Sequence, residues 1–462
     1  MASHQLVENR TFDEIEVGET ASISRRLTEH DLASFAAVSG EIGTHGSDSS
    51  LDDPVAHGML GGALISTVLG TRLPGPGTVY LRQELDFVAP MHLGDTITVT
   101  VKVAEKGEDG RLTLDCACVD QDGTLVTSGR AVVRAPARKL KVAAPELPQL
   151  IVQTHDSFER LMRACRDVPP VPCAVAHPCS PDALEGALDA AEAGVITPIL
   201  VGPEAKVRAT AEAAGLDISK YQLMDVPHSH AAADRAVELV REGKAQLLMK
   251  GSLHTDELMA AVVAKETGLR TGRRLSHVFV MDVPTYPKPL FITDAAINIF
   301  PALEDKVDIV RNAIDLFAGL GLGEPKVAIL SAVETVNPKI PGTLDAAALC
   351  KMADRGQITG GLLDGPLALD NAIDRHAAEI KGITSEVAGQ ADILVVPDLE
   401  AGNMLAKNLS FLAHADAAGV VLGARVPIIL TSRADSVRAR LASAAVAALY
   451  AHNKRLKQPV AA

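Results

Sequence analysis

Residues 391–407, Ala-Asp-Ile-Leu-Val-Val-Pro-Asp-Leu-Glu-Ala-Gly-Asn-Met-Leu-Ala-Lys, combine an apolar strand with the start of a helix. The run 392–396 is short and β-branched, which favours a strand buried in a parallel sheet. The turn that follows contains Asp398, Gly402 and Asn403. It lies at the carboxyl end of its strand, where α/β proteins bind phosphate-bearing ligands on free helical N–H groups. The stretch therefore predicts an α/β fold with an anionic ligand at this edge of the sheet.

The same alternation of strands and helices extends over residues 155–462, which predicts a parallel sheet with helices on both faces. The pair Ser180-Pro181 favours a helix start with a serine cap, and the Ala-rich run 435–457 favours a long helix. The glycines at 319–323 follow a helix and not a strand, so they predict a helix cap and turn instead of a dinucleotide loop. The predicted strands are 173–177, 198–201, 221–226, 246–249, 277–282, 327–332, 360–363, 393–396, 419–422 and 428–430.

The first third of the sequence has a different pattern, with strands around one helix. Residues 58–73 are nearly all apolar, and two adjacent glycines would let a sheet come close to this helix. Apolar and polar residues alternate in the runs 79–87, 97–103, 112–119 and 125–134, as in antiparallel strands with one buried face. Three parts are predicted: an α+β hot-dog domain at 1–140, a Pro- and Ala-rich linker at 141–154, and the α/β unit at 155–462.

Composition and charge exclude several classes of function. The 462 residues carry a formal net charge of −14 and 3% aromatic residues without Trp, which argues against nucleic-acid binding. No uncharged apolar run reaches about 18 residues, so no membrane-spanning helix is predicted. The six cysteines show neither a CxxC pair nor zinc spacing. We therefore expect reduced thiols in a cytoplasmic protein without a metal site.

Several predicted strand ends carry residue types that bind phosphate. The strand 246–249 runs into Lys250-Gly251-Ser252-Leu253-His254-Thr255, which places a cation, a glycine for close backbone approach, a histidine and a hydroxyl at one turn. Two other segments also combine arginine with a hydroxyl side chain: residues 273–276, before the strand 277–282, and residues 431–435, after the strand 428–430. The predicted substrate-binding residues are Lys250, Gly251, His254, Thr255, Arg274, Ser276, Asp398, Gly402 and Asn403.

Five segments carry a family resemblance: Leu248-Met249-Lys250-Gly251, His254-Thr255-Asp256, Asp364-Gly365-Pro366-Leu367, Pro397-Asp398-Leu399-Glu400-Ala401-Gly402-Asn403 and Thr431-Ser432-Arg433-Ala434-Asp435. Over residues 155–456 the sequence resembles the phosphate acetyl/butyryltransferase family. The resemblance implies a two-domain α/β unit of the isocitrate/isopropylmalate dehydrogenase-like type, with 285–425 inserted, a cleft for the ligand, and a homodimer or higher homo-oligomer. It also implies acyl transfer between coenzyme A and phosphate, which are substrates, with no tightly bound cofactor.

The same resemblance assigns roles to individual residues. Ser432 and Arg433 match the catalytic pair of the family, and Arg274 matches a ligand-binding arginine. Acyl transfer needs an aimed thiolate, donors for the tetrahedral oxyanion and cations for the phosphate, and it requires no metal. The acetyltransferase branch has an Asp seven residues after the serine as the proposed thiol base, whereas Ala439 stands here. This departure favours the butyryltransferase branch, with Asp435 as an alternative base.

The first third carries a second resemblance, in Asp53-Pro54-Val55-Ala56-His57-Gly58-Met59-Leu60, Leu73-Pro74-Gly75-Pro76-Gly77 and Leu93-Gly94-Asp95. Residues 10–136 resemble the MaoC-like (R)-specific enoyl-CoA hydratase family. The resemblance implies that Gly58 donates to the thioester oxygen and that Ser66 is an active-site serine. The catalytic segment of the family is Asp-x-Asn-Pro-x-His. Here Glu41 replaces the Asp and His45 comes one residue early, which predicts weak or absent hydration because acid–base catalysis depends on exact reach.

The sequence thus predicts a fusion of a hydratase-like domain with a phosphate acyltransferase, both acting on acyl-CoA. Three alternatives stay open. The first domain could be a non-catalytic acyl-CoA-binding or dimerising module, which the substitution at Glu41 favours. The whole chain could be an acyl-CoA sensor without turnover. An NAD-dependent dehydrogenase on the same C-terminal fold is the third alternative, and the absence of a correctly placed glycine fingerprint argues against it.

Overall fold

The computed structural model divides into two compact units, residues 1–152 and 153–462. Each unit has a hydrophobic core of its own. The described residues are 6–40, 56–143, 156–430 and 435–456. No helix within these ranges is long and apolar enough to cross a membrane.

In the first unit a sheet of five antiparallel strands packs against the helix α2, in the order β2-β4-β5-β6-β3. Alternate residues of β4 are fully buried, as are the residues of α2 that pack in the same core: Ile97, Val99, Val101 and Val103 on β4, and Ile65, Val68 and Leu69 on α2. This arrangement confirms the predicted sheet around one apolar helix. The elements are β1 (Leu6–Glu8), a 3₁₀ turn (Phe12–Glu14), β2 (Thr20–Arg26), α1 (Glu29–Ser39), α2 (Gly58–Thr71), β3 (Val79–Phe87), β4 (Thr96–Lys106), β5 (Arg111–Val119), β6 (Leu125–Arg134) and β7 (Lys141–Ala143).

Residues 141–143, which were predicted to belong to the linker, form strand β7. This strand pairs antiparallel with β1, with Leu6 opposite Ala143. Ordered pairing therefore extends into the predicted linker as far as residue 143, and residues 144–155 lie outside the described ranges.

The second unit contains an eleven-stranded sheet, counted over the described residues, in the order β10-β9-β8-β11-β18-β17-β12-β13-β16-β14-β15. Its strands are β8 (Val171–Ala176), β9 (Ile196–Gly202), β10 (Gln222–Asp225), β11 (Leu247–Lys250), β12 (Ser276–Asp282), β13 (Leu290–Thr293), β14 (Lys326–Leu330), β15 (Leu362–Leu367), β16 (Ile393–Val395), β17 (Asp416–Leu422) and β18 (Ile428–Ile429). Its helices are α3 (Asp156–Cys165), α4 (Pro181–Glu192), α5 (Glu204–Ala214), α6 (Ser229–Arg241), α7 (Thr255–Val263), α8 (Leu303–Gly319), α9 (Pro341–Asp354), α10 (Leu369–Ile373), α11 (Arg375–Ile380), α12 (Leu399–Leu412) and α13 (Val437–Leu456).

The sheet is mixed and not parallel throughout as predicted. Two parallel blocks, β10-β9-β8-β11-β18 and β13-β16-β14-β15, are joined by β17 and β12, which pair antiparallel with each other and with the neighbouring blocks. The two blocks therefore run in opposite directions, and their carboxyl ends lie at opposite edges of the sheet. Helices α6 and α7 pack on one face of the first block, and α13 packs on the other.

Several local predictions need correction. Strand β13 was not predicted, and β15 begins at Leu362 instead of residue 360. Helix α4 begins with Pro181 as predicted, but the Ser180 side chain makes no capping hydrogen bond. The glycines at 319–323 do form a helix end and turn, because α8 ends at Gly319 and Gly321 has a φ of 77°.

Candidate functional site

The turn after β11 requires glycine at position 251. The parallel strands β8 and β11 pair with Ala176 opposite Lys250, so the two chains leave the sheet side by side. The N–H of Gly251 donates to the carbonyl of Ala176 at 2.9 Å. A Cβ atom at Gly251 would lie 2.4 Å from the carbonyl oxygens of both Ala176 and His177. Only glycine, which has no Cβ, therefore lets the turn after β11 lie this close to the turn after β8.

His177 and Ser252 hold these turns together. The Ser252 Oγ donates to the carbonyl of His177 at 2.9 Å, and the His177 Nδ1 lies 3.1 Å from the same Oγ. Burial lowers the pKa of His177, and the nearby charge of Lys206 lowers it further. The imidazole is therefore neutral at pH 7, and both side chains act within the turn.

The other predicted residues of this turn face outward to different degrees. Lys250 is half-buried, with its Nζ 3.3 Å from the carbonyl of Gly251. His254 is exposed at the N-cap position of α7 and makes no side-chain cap hydrogen bond. Thr255 is the first residue of α7. Its hydroxyl and the first N–H groups of α7 are therefore available near one end of a cavity.

A cavity of about 770 Å³ runs along α7. It is lined by Thr255, Asp256, Met259, Val263, Arg270, Arg273, Arg274, Leu275, Ala296, Ile297 and Asn298. Of the predicted binding residues, the structure brings Thr255 and Arg274 together here. Sequence reasoning missed Met259, Arg270 and Asn298. The sequence did contain a signal for Asn298. Asp294 and Asn298 follow the largely apolar run 290–293, and polar residues after a strand are candidates for a ligand site.

Arg274 is held by neighbours on one side of this cavity. Its side chain is 53% exposed, its Nε donates to the Asn298 Oδ1 at 2.8 Å, and one Nη lies 3.1 Å from the Asp305 carboxylate. Arg273 is paired with Asp315. Arg270 is exposed, and within the described part of the chain its guanidinium has no hydrogen bond or ion pair. The cavity thus combines guanidinium groups with an apolar wall.

Ser276 does not belong to the cavity. It is fully buried, and its Oγ accepts a hydrogen bond from the Asn312 Nδ2 at 2.9 Å. The predicted ligand role of Ser276 is therefore replaced by a structural one at the start of β12.

The turn 398–403, which follows β16 and includes the first residues of α12, also has a structural role. The Asp398 carboxylate caps α12 by accepting the N–H of Ala401 at 2.9 Å, so it occupies a donor that a phosphate would need. Gly402 is buried, and a Cβ there would lie 2.9 Å from the carbonyl oxygen of Asp294. The Asn403 Nδ2 donates to the carbonyl of Ala295 at 3.2 Å. Gly402 and Asn403 thus support the segment that forms one wall of the cavity, and neither lines it.

Because the two sheet blocks run in opposite directions, the predicted residues lie at opposite edges of the sheet. The cavity along α7 is lined from both, by Thr255 after β11 and by residues 296–298 after β13. Strands β11 and β18 end at one edge, where the turn 250–255 lies, whereas β13 and β16 end at the other, where the turn 398–403 lies. Ser432 and Arg433, like Glu41 and His45, fall outside the described residues. Asp435 is described: it is half-buried and lies two residues before α13. The catalytic assignments of these residues stay predictions.

In the first unit, Gly58 and Ser66 lie apart on α2. Gly58 begins the helix and lines a cavity of about 270 Å³ with Phe87, Met91 and Thr127 among its walls. Ser66 is exposed and lies about 12 Å further along the helix axis. The structure therefore does not bring these two predicted residues into one cavity within the first unit.

His277, on β12, is a buried titratable group that sequence reasoning did not single out. It is 1% exposed, and within the described ranges its Nδ1 has no hydrogen-bond partner. Burial lowers the pKa of His277, and the charge of Asp294 opposes this shift. Below the usual histidine pKa of about 6.5 the unfolded chain takes up a proton that the folded chain resists. Stability contributed by the neutral imidazole is therefore present above about pH 6.5 and lost as the pH falls.

We expect the variant His277→Leu to lose less stability than the wild type between pH 7 and pH 5. Thermal unfolding at a series of pH values measures this slope, and an exposed histidine changed in the same way, His376→Leu, is the matched control. If the Tm of the wild type and the Tm of His277→Leu fell equally between pH 7 and pH 5, the proposed contribution of the neutral His277 imidazole would be wrong.

The described residues contain no group of three or more His, Cys, Asp or Glu side chains arranged to hold a metal ion. The charged residues that line the cavity along α7 are Asp256, Arg270, Arg273 and Arg274. Arg273 is paired with Asp315 and Arg274 with Asp305.

Comparison with known proteins assigns the second unit to a family. A model of the phosphate acetyl/butaryl transferase family matches residues 231–448. A phosphate acetyltransferase of Rhizobium meliloti is 69% identical over 304 residues, which cover 66% of this chain and 96% of that protein. The chain belongs to the phosphate acetyl/butyryltransferase family.

Two solved structures are similar to the two parts of this family member. A branched-chain phosphotransacylase from Enterococcus faecalis is 31% identical, with a TM-score of 0.55, and the match covers 61% of this chain and 99% of that one. The R-hydratase PhaJ1 from Pseudomonas aeruginosa is 40% identical, with a TM-score of 0.31, over 32% of this chain and 98% of that one. The phosphotransacylase fold predicted for the second unit is confirmed.

Proposed function

We propose that the second unit transfers an acyl group between coenzyme A and inorganic phosphate in the cavity along α7. The proposal rests on the position of Arg274. Asn298 and Asp305 hold one side of its guanidinium, and its half-exposed side chain lines a cavity with an apolar wall. Guanidinium groups bind phosphate through parallel N–H donors, and an apolar wall suits an acyl chain. The similar proteins named above, a phosphate acetyltransferase and a branched-chain phosphotransacylase, have activities that fit both features.

In the proposed reaction the thiolate of coenzyme A attacks the carbonyl carbon of an acyl phosphate, and phosphate leaves; the reverse reaction makes the acyl phosphate. The thiol proton must pass to a base, for which Asp435 stays our candidate. Ser432 and Arg433 would stabilise the negative charge that develops on the tetrahedral oxygen and on the phosphate. Arg274 would hold a phosphate group of either substrate. No step requires a metal ion, because guanidinium groups supply the positive charge.

We also propose that the cavity accepts acyl chains longer than acetyl. Met259 and Ile297 are half-buried in its wall, and Val263 is 43% exposed there. Each further methylene buried against such a wall contributes about 0.8 kcal/mol to binding, enough to favour a four-carbon chain over acetyl by roughly tenfold or more.

A phosphate-dependent thiol-release assay tests the proposed activity. The full chain, assayed in EDTA with acetyl-CoA or butyryl-CoA, should release free thiol only when phosphate is present, with the larger kcat/KM for butyryl-CoA. Absence of phosphate-dependent release from both substrates would overturn the function. A larger kcat/KM for acetyl-CoA would overturn the chain-length proposal alone.

For the first unit we expect weak or absent hydration of trans-2-enoyl-CoA. The shifted spacing of Glu41 and His45 should misplace the catalytic groups, and a displacement of about 1 Å lowers the rate by a factor on the order of a hundred. Absorbance of the enoyl thioester with crotonyl-CoA measures the rate. Rapid hydration that His45→Ala abolishes, while Ser39→Ala does not, would contradict this expectation.

Three further expectations remain part of the proposal. The two oppositely directed blocks of the large sheet would form two lobes of the isocitrate dehydrogenase type, with residues 285–425 as the inserted one. The protein would act as a homodimer or a higher homo-oligomer in the cytoplasm. Light scattering of the purified chain measures the oligomeric state, and a monomer at all concentrations would contradict the second expectation.

A further inference from the structure

The Asp294 carboxylate organises the segment that forms one wall of the cavity. Asp294 follows β13 and is 3% exposed. Its two oxygens accept the backbone N–H groups of Ala296 at 2.9 Å, Ile297 at 3.0 Å and Asn298 at 3.2 Å. A fourth donor, the Asn298 Nδ2, lies at 2.6 Å. A buried carboxylate with four donors is fully satisfied, so the segment 294–298 has one defined conformation.

These contacts determine which way the Asn298 amide points. Asn298 is 4% exposed, and its Nδ2 donates to the carbonyl of Leu275 at 2.8 Å as well as to Asp294. Both amide hydrogens are therefore engaged, because a carboxylate and a carbonyl can only accept. The Oδ1 is left to face Arg274, where it accepts the Nε–H at 2.8 Å.

The orientation of Arg274 follows from that acceptor. A guanidinium has five N–H donors. Asn298 accepts one of them, and one Nη forms an ion pair with the Asp305 carboxylate at 3.1 Å. The guanidinium has no further partner among the residues that the structure describes. The free donors belong to the half-exposed end of a side chain that lines the cavity. Two parallel N–H groups are the geometry that phosphate oxygens accept.

We propose that Asn298 is a positioning residue that selects the orientation of the Arg274 guanidinium for binding a phosphate group of the substrate, and that Asp294 fixes Asn298 in turn. This inference rests on the proposed function. The neutral amide orients the arginine without cancelling its charge, and Asp305 already supplies one counter-charge. Gly402 and Asn403 act behind this network, since they contact the carbonyls of Asp294 and Ala295.

The variant Asn298→Leu removes the amide while keeping a similar volume. We expect the KM for phosphate to rise on the order of tenfold to a hundredfold, with kcat changed much less, because a charge-assisted contact that orients the anchor is lost. The matched control is Asn312→Leu. Asn312 is 2% exposed and donates to the backbone carbonyl of Arg274, but it does not contact that guanidinium. Its KM effect should be several-fold smaller at a similar loss of thermal stability.

The variant Asn298→Asp gives a second, independent measurement. The new carboxyl would face Asp294 where the amide nitrogen now lies, and two carboxylates so close hold one proton between them up to a raised pH. With one shared proton it can still donate to Asp294 and accept from Arg274, so the KM for phosphate should approach the wild-type value at low pH. As the pH rises and that proton is lost, the KM for phosphate of Asn298→Asp should rise relative to the KM of the wild type. Other charged or titratable groups near this pair are Arg274, Asp305, Asp308 and His277, and Asp256, Arg270 and Arg273 line the same cavity.

Each outcome decides one point. Equal KM changes in Asn298→Leu and Asn312→Leu, or a flat pH profile of the Asn298→Asp to wild-type KM ratio, would overturn the positioning role. Should Asn298→Leu fail to fold, the pH profile of Asn298→Asp decides alone. A wild-type chain without transferase activity would instead overturn the proposed function. In that case the rise in Tm on adding inorganic phosphate tests the anchor, and an equal rise in wild type and Asn298→Leu refutes it.

Discussion

Replacing Arg433 with lysine should lower kcat by roughly a hundred- to a thousandfold. Lysine keeps the positive charge but lacks the planar pair of N–H donors with which arginine binds two oxygens at once. In the proposed role this contact acts mainly in the transition state, so kcat should fall more than the KM for coenzyme A rises. Steady-state thiol release with butyryl-CoA and phosphate measures both constants.

The control for this variant is Arg425→Lys, the same change at an exposed arginine in the preceding connection between β17 and β18. It should leave kcat within a factor of about two. A near-normal kcat for Arg433→Lys with both acetyl-CoA and butyryl-CoA would mean that Ser432 and Arg433 have a structural role, and the catalytic assignment would be wrong.

The variant Gly251→Ala should destabilise the second unit by about 3 kcal/mol, near the upper end of the usual effect of overpacking. The added methyl group would meet the carbonyl oxygens of Ala176 and His177 at 2.4 Å. The Ala176 oxygen belongs to the paired strand β8, and the His177 oxygen accepts the Ser252 N–H at 2.9 Å. The turns must therefore separate and lose the Gly251 N–H hydrogen bond. A lower Tm of the second unit, followed in the full chain, measures the effect.

Gly342→Ala is the matched control within the same unit. Gly342 lies on α9, and a Cβ there would have its nearest neighbours at 3.6 and 3.7 Å, which is ordinary contact. Alanine also has the higher helix propensity, so the Tm should stay equal or rise slightly. A fall in Tm as large as that of Gly251→Ala would show that the effect is not specific to the close approach of the two turns.

The pattern of apolar runs predicted most strands of the large sheet but not their directions. An apolar run such as β12 or β17 has the same composition whether its neighbours are parallel or antiparallel, so the reversal in the middle of the sheet is not visible in sequence. Strand β13 was missed because Pro287 and Pro289 stand just before its four residues, Leu290–Thr293, and proline is typical of a loop. The α2 helix was predicted accurately because its apolar composition is continuous over many residues.

For the candidate site, the sequence indicated which residue types could bind a ligand, but it did not indicate which of those residues lie in the cavity. Asp398 was predicted to take part in ligand binding, yet aspartate is also a preferred helix N-cap, and the structure uses it as one. Ser276 could not be distinguished from an exposed serine without knowing that Asn312 covers it. Asn298 was missed because its role arises from contacts with Leu275, Asp294 and Arg274, and only the folded chain brings this set together.

The two-residue strand β18 lies between β11 and β17, so it joins two half-sheets, β10-β9-β8-β11 and β17-β12-β13-β16-β14-β15. Within the described ranges every other strand of that sheet precedes it in the chain. A nascent chain therefore emerges from the ribosome with its two half-sheets complete in sequence but still separate. They can be united only after residues 428–429 have been synthesised. This order of events places the slow, long-range step of folding late, and it leaves two open sheet edges exposed during synthesis. Chaperone dependence of this unit during translation would follow from that topology.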